Sequence, residues 1–311
     1  MLLRTYTKDI AAGYEGLSEV LTYDHKGKSK SFLEMLRELE RGRYDLAIVA
    51  FPRFRIAMLL LLAGIPTRVG TGYRWYSFLF NRRVFEHRKT GNRHESEYNI
   101  GLLNAISIRS GEQLKPVLSV SEEDRLAALT VMHEIGIQRG EPWIILHPGS
   151  GGSARDWSPE NFGRLAFVLS NEGCKIAVTG GPGEDNIVDR VVQYSEGRSI
   201  PVVNRFHLRE LAGFISEADL FVANSTGPLH IAAAVGTPVI GFYPDIPACS
   251  ERRWGPLTDR KRVFCPDRRK CHLCKGGDCR SNVCMDQIDV KSVVDAVHEL
   301  LGSHKPVVVE V

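Results

Sequence analysis

Residues 144–162 read IILHPGSGGSARDWSPENF. The run at 144–147, apolar up to His147, reads as a buried strand, and after Pro148 it gives way to a glycine-rich turn, Gly149-Ser150-Gly151-Gly152-Ser153. Arg155 and Trp157 follow, and Ser158-Pro159 opens a helix expected over 159–170, with serine as cap and proline in the first turn. Glycines let backbone amides approach an anion, and the nearby cation adds charge-assisted bonds. The same residues also suit an ordinary strand-to-helix turn. They match neither GxGxxG nor P-loop spacing.

The strand–turn–helix rhythm continues in both directions. Downstream, strands are expected at 175–179, 202–203, 219–223 and 238–242, separated by helices at 184–194, 208–215 and 228–235. Upstream, YDLAIVA at 44–50 reads as a buried strand, 53–63 as the helix behind it and 67–70 as a further strand. Strands spaced by such helices make right-handed βαβ units, so the class is α/β with parallel, doubly wound sheets. Between the halves, a polar stretch at 109–115 and Pro116 lead into a helix at 121–135, where Ser121-Glu122-Glu123-Asp124 supplies a cap and first-turn acids. Two Rossmann-like domains result, 1–135 and 142–311. The last helix, 290–301, carries one apolar stripe at helical spacing and is expected to pack back on the first domain.

Composition sets the outer bounds. The 311 residues are 43% hydrophobic, with 40 Lys+Arg against 37 Asp+Glu and a formal charge of +3. Disorder, collagen-like repeats and a small disulfide scaffold are excluded, and the charge is too weak to argue for nucleic acid. Arg4, Lys8 and Asp9 break any apolar core near Met1, and the run at 56–65 is about half of a bilayer span. A cytoplasmic protein is expected.

Two further loops repeat the first. LFVANSTGPLHIAAAVGTPVIGF at 220–242 is a strand, then Ser225-Thr226-Gly227, then a helix with Pro228 at its start and His230 in its first turn. Such a helix start suits an anion, although a first-turn histidine also serves as a cap or surface residue. Thr179-Gly180-Gly181-Pro182-Gly183-Glu184 again joins a strand to a helix, either as a simple tight turn or as a ligand loop. All three lie at the carboxyl ends of parallel strands, where open α/β sheets bind ligands. Together they point to a nucleotide-diphosphate pocket.

HPGSGGSARDW and NSTGPLHIAAAVGTPVIGFY resemble the donor-binding domain of glycosyltransferase family 9, the bacterial heptosyltransferases of lipopolysaccharide core assembly. The likeness extends to YDLAIVAFPRFRIAMLLLLAGIPTRVG and to CMDQI near the end. It implies the GT-B fold, two Rossmann-like domains with a cleft between them, the first on the acceptor side and the second binding the nucleotide-sugar donor. It further implies inverting, metal-independent sugar transfer, most simply of heptose from ADP-heptose to a lipopolysaccharide-type acceptor at the inner membrane. Another nucleotide-sugar, or a silent nucleotide-sugar-binding protein, are the alternatives.

Gly149 and Ser150 of the glycine-rich turn are expected to bind the donor; by the same resemblance Arg155 faces its diphosphate, with arginine where the family usually has lysine, and Thr226, Gly227 and His230 form the phosphate-binding helix start. Glu184 would stand near the ribose. Phe206 would cover the base or be a core phenylalanine. Ser225 stands where an aspartate commonly touches the sugar, which leaves the sugar open. The family opens with a strand and glycine-rich loop bearing its catalytic aspartate, whereas residues 1–6 here resemble its second strand, so a truncated start is expected. No spacing singles out a base among Asp9, Asp24 and His25.

Two motifs remain. Residues 72–94 interleave Tyr73, Trp75, Tyr76, Phe78 and Phe80 with six arginines and lysines, which suits either a peripheral membrane contact with an anionic amphiphile or a solvated loop. Cys271, Cys274, Cys279 and Cys284 have the spacing of a zinc knuckle. Structural zinc is not the favoured reading, and the absence of aromatics between these cysteines argues against nucleic acid.

Overall fold

The computed structural model describes residues 1–11, 14–25, 27–109, 115–138, 140–152, 155–267 and 282–302. The chain divides into two compact units, Met1–Leu114 and Lys115–Val311.

The first unit is built on two small parallel sheets. Strand β1 (Leu2–Leu3) is followed by α1 (Lys8–Ala11) and pairs with β2 (Leu21–Thr22); β3 (Asp24–His25) and β4 (Lys28–Ser29) form a hairpin. Helix α2 (Phe32–Gly42), capped by Ser31, leads to β5 (Leu46–Ile48), α3 (Phe54–Leu62), β6 (Thr67–Thr71) and β7 (Arg82–Val84), and α4 (Glu95–Gly101) follows. Strands β5, β6 and β7 pair in that order, all parallel. Among the described residues β5 has one partner, β6. Leu46–Val49, with Leu2, Leu3 and Leu21 among others, line a cavity of about 660 Å³. Leu46 and Ile48 are each 40% exposed, so the apolar run at 44–50 is not the buried strand its composition suggests.

The second unit is a single six-stranded sheet. Its elements are α5 (Glu122–Glu134), β8 (Trp143–His147), α6 (Pro159–Asn171), β9 (Lys175–Gly180), α7 (Asp185–Tyr194), β10 (Ile200–Val203), α8 (Leu208–Ser216), β11 (Leu220–Asn224), α9 (Gly227–Val235), β12 (Val239–Phe242), α10 (Glu251–Trp254), β13 (Lys261–Phe264) and α11 (Val290–Gly302). The strand order is β10-β9-β8-β11-β12-β13, entirely parallel. Every residue of β8, β11 and β12 is buried, as apolar runs without alternation require when helices cover both faces.

Two expectations need correction. Helix α5 belongs to the second unit, not the first: Ala128, Val131 and Met132 share a core with Phe214 and Ile215 of α8, and Arg209 pairs with Asp124 at 2.9 Å. The junction thus lies near residue 115 rather than beyond 135. The apolar stripe of α11 is likewise absorbed within the second unit, where Val293, Val294, Val297 and Leu300 pack with Leu165 and Leu169 of α6. The Ser121 cap is as expected, a capping box closed with Asp124. Ser158 precedes α6 as expected but makes no side-chain cap bond.

Candidate functional site

The strand order of the second unit reverses between β8 and β11, and at such a switch point the loops leaving neighbouring strands diverge to leave a crevice. The loop after β8 carries Gly149 to Ser158, and the one after β11 carries Ser225 and Thr226. The loop after β9, next to β8, carries Gly181 to Glu184.

The β8–α6 loop turns through Gly151 and Gly152, at φ +59° and +77°, a left-handed conformation that costs other residues more. Glu184 folds over it. A side chain at Gly149 would overlap the Glu184 carboxylate, whose Oε2 accepts the Gly181 amide at 2.8 Å. Beneath them is His147, 5% exposed, its Nδ1 at 2.9 Å from Thr179 Oγ1 and its Nε2 at 3.9 Å from Glu184 Oε2. Burial holds the imidazole pKa below its ordinary value, against the opposing pull of Glu184. Ser150, also buried, donates its hydroxyl to Asp156 Oδ2 at 3.0 Å. Burial, with a smaller push from Glu184, raises the Asp156 carboxyl to about 6, although the Ser150 bond works the other way.

Asn224 and Trp157 hold the loop in place. Asn224, fully buried at the end of β11, accepts the Trp157 amide at 2.8 Å and donates to the Pro148 carbonyl at 2.7 Å. A buried amide spends its hydrogen-bonding groups this way because leaving them unmade is costly. Trp157 is buried against Phe242, stacked at 4.3 Å, and Phe162, edge-on at 5.0 Å, and its indole N–H donates to the Ile288 carbonyl at 3.0 Å. The two residues just ahead of it, Arg155 and Asp156, are thereby tethered to the core.

The predicted residues fall into three groups. Gly149, Ser150 and Glu184 come together directly, and Arg155, partly exposed, continues the same loop. Thr226 stands at the N-cap position of α9 without a side-chain cap bond, Gly227 opens the helix and His230 sits in its first turn, after the neighbouring strand β11. Phe206 stands apart, after β10, with its ring at 4.7 Å from core Phe214. Ser225 is buried and its hydroxyl bonds Tyr243, so this side chain is engaged inward. His147, Asp156 and Asn224 were not singled out by the sequence. Asn224 and Asp156 stand within the quoted motifs, where a polar residue beside a buried aromatic run was the available signal.

Elsewhere, Asp24 is buried and accepts the Thr5 amide at 2.9 Å, a structural role in the first unit. Cys271, Cys274 and Cys279 lie outside the described residues, and Cys284 packs in the core beside Met285. Among the described residues no group of three or more His, Cys, Asp or Glu is placed to hold a metal. No helix there is long and apolar enough to cross a membrane.

The two loop glycines separate steric from functional effects. Gly227 is exposed, and an added Cβ meets nothing within 4 Å, so Gly227→Ala should leave melting unchanged while crowding any anion at the α9 start. Gly149→Ala should displace the Glu184 carboxylate, a flexible neighbour, with a melting loss of only a few degrees. Paired melting and ligand-affinity measurements on both variants check this. A large melting loss in Gly227→Ala contradicts it.

Comparison with known proteins agrees with this geometry. The sequence profile described as Glycosyltransferase family 9 (heptosyltransferase) matches residues 32–284. A "Putative glycosyltransferase" of Haemophilus influenzae is 29% identical over 286 residues, covering 86% of this chain and 80% of the relative. Among solved structures, the glycosyl transferase family 9 protein from Veillonella parvula superposes with a TM-score of 0.81 at 21% identity, over 97% of this chain and 87% of the other. The E. coli ADP-heptose lps heptosyltransferase II does so with a TM-score of 0.75 at 19% identity, over 97% and 88%. The fold is GT-B, built from two Rossmann-like units, and the chain belongs to glycosyltransferase family 9, whose activity is glycosyl transfer.

Proposed function

We propose that this chain moves a sugar from a nucleotide-diphospho-sugar to a glycolipid acceptor with inversion, most simply heptose from ADP-heptose to a lipopolysaccharide-type core. One observation carries the reading: three glycine-bearing loops meet at the switch point of the second unit, with Arg155 on one and the α9 N-terminus on another. The similar E. coli protein, named as an ADP-heptose lps heptosyltransferase, supports the choice of donor.

The chemistry asks mainly for charge stabilisation. As the bond to the anomeric carbon breaks, negative charge grows on the departing diphosphate. Arg155, His230 and the α9 amides would meet it in place, at no cost in reorganisation. These groups do the work a divalent cation does elsewhere, so EDTA is expected to leave turnover unchanged. Glu184 would accept ribose hydroxyls.

A second reading, transfer of a different sugar, is favoured by Ser225. It is neutral, and its hydroxyl bonds Tyr243. Titrating the chain by thermal shift against ADP-, UDP-, GDP- and CMP-sugars, ADP-heptose included, separates the readings, because a ligand of the native state raises the melting temperature. A selective rise with ADP-heptose is expected. A rise with another donor replaces the sugar, and no rise with any donor refutes the pocket.

Contact with the membrane surface is part of the proposal. Phe51, Trp75 and Phe78 are 70%, 73% and 67% exposed on the first unit, with Phe54 stacked on Trp75 at 4.9 Å and Arg53 over the Phe51 ring. Exposed aromatics beside arginines suit an anionic interface. Trp75→Ala with Phe78→Ala is expected to abolish sedimentation with anionic vesicles. Undiminished sedimentation removes this part.

A further inference from the structure

We propose that His147 is a positioning residue of the donor pocket, an uncharged floor beneath Glu184 that leaves the Glu184 carboxylate free to meet the donor's ribose. The inference rests on the donor-site reading above and adds to it a side chain that the sequence did not single out.

The hydrogen bonds around the ring fix where its proton is. Thr179 Oγ1 has one hydrogen and donates it to the Leu146 carbonyl at 3.4 Å. The same oxygen lies 2.9 Å from His147 Nδ1, so the ring N–H is at Nδ1 and donates to it. In the neutral ring Nε2 then carries a lone pair, and it stands 3.9 Å from Glu184 Oε2. Two acceptors face one another there with no hydrogen between them. Oε2 takes the Gly181 amide at 2.8 Å instead, and the carboxylate lies over Gly149. The Glu184 side chain is 17% exposed and that of His147 7%, so a ligand can reach the acid while the ring supports it from below.

A second proton on the ring would undo this arrangement. An imidazolium presents an N–H at Nε2, and a charge-assisted bond to a carboxylate closes to about 2.7–2.9 Å. The carboxylate would be drawn down by about 1 Å, its charge committed to the ring rather than to the ligand. Burial opposes that proton and holds the imidazole below its ordinary 6.5, while Glu184 pulls the other way. The other partners of the ring are uncharged: Thr179, and Phe221, stacked at 6.1 Å. Glu184 is therefore the charged group that faces the ring, and Asp156, raised to about 6, acts on Glu184 from the neighbouring loop.

Two substitutions separate the two states of the ring. His147→Asn keeps a donor for Thr179 and places nothing at the Nε2 position. His147→Gln places an amide N–H near Oε2 at every pH, an uncharged stand-in for the protonated ring. Wild-type affinity for ADP-heptose is expected to fall about tenfold or more from pH 8 to pH 5. In His147→Asn that fall should shrink to the part Asp156 contributes. His147→Gln should bind about tenfold more weakly than wild type already at pH 8. Coupling is reciprocal, so donor binding should in turn lower the pH at which the wild-type His147 ring titrates. Glu184→Gln, which removes the charge favouring the imidazolium, should lower it without any ligand.

The test is calorimetry with ADP-heptose from pH 5 to 8 on wild type, His147→Asn and His147→Gln. It is joined by NMR titration of the His147 ring in wild type, free and donor-bound, and in free Glu184→Gln. The ring titration in wild type needs no substitution at His147, so it decides the matter if either variant fails to fold. An acid loss of equal size in wild type and His147→Asn overturns the inference alone, because His147 would then only pack the strand end. A ring titration that the donor leaves unmoved or raises does the same, as does one unmoved in Glu184→Gln. Wild type silent toward ADP-heptose at pH 8 overturns the ADP-heptose reading and this inference with it.

Discussion

Trp157→Ala should remove about 3–5 kcal/mol of stability, the range for excising a fully buried large aromatic. Trp157 is stacked on Phe242, edge-on to Phe162 and hydrogen-bonded through its indole to the Ile288 carbonyl. Truncation opens a void among the β8, β12 and α6 residues and leaves that carbonyl unpaired. Domains have only about 5–15 kcal/mol in total, so the second unit should become marginal. Trp157→Phe, which keeps most of the stacking and loses the N–H, should cost much less. Denaturant titrations of both variants check the order. Wild-type stability in Trp157→Ala contradicts the packing described.

Arg155→Ala and His230→Ala should each reduce donor affinity or turnover about tenfold or more, with little change in melting. A charge-assisted hydrogen bond contributes about 1.5–3 kcal/mol, and each 1.4 kcal/mol is a factor of ten. Both residues are partly exposed, so neither truncation opens a core cavity. Arg155→Lys should recover part of the loss, because charge is retained while the planar fork is not. The diphosphate is present in both ground and transition states but gains charge as it departs. A fall mainly in kcat therefore assigns a residue to stabilising departure, and a rise mainly in KM assigns it to holding the donor. Steady-state kinetics with a defined acceptor makes the distinction. Unchanged parameters in both variants refute the pocket.

The second unit was legible because its sequence is locally consistent. Every strand of residues 143–242 was placed within about two residues, since an apolar run between glycine-rich turns admits few other readings. β13 was missed: KRVF is short and half charged, and it becomes a strand through its pairing with β12. The first unit was less readable for a related reason. Strands such as Leu2–Leu3 and Leu21–Thr22 span two residues and exist through tertiary pairing, with too little sequence to show a period. Helix α5 was recognised from its cap but given to the wrong unit, because Arg209, 85 positions from its partner Asp124, leaves no local mark. The same limit applies to the site. Loop glycines, Arg155 and the α9 start announce themselves, whereas the Asn224 bridge joins residues 67 or more positions apart. The bond from Ser150 to Asp156 likewise emerges only from the folded loop.

The strand order bears on how the second unit opens. Hydrogen bonds in a parallel sheet protect one another because each strand must leave two neighbours at once, and β12, held between β11 and β13, is in that position. Strand β10, at the edge of the same sheet, pairs among the described residues with β9 alone. Detaching it breaks a single row of bonds. Local opening is expected to begin at such an edge, below the free energy of whole-chain unfolding. Two runs of similar hydropathy, IPVV and VIGF, are accordingly expected to exchange their amide protons on very different timescales. Protection is set by the number of neighbouring strands, a property that hydropathy does not encode.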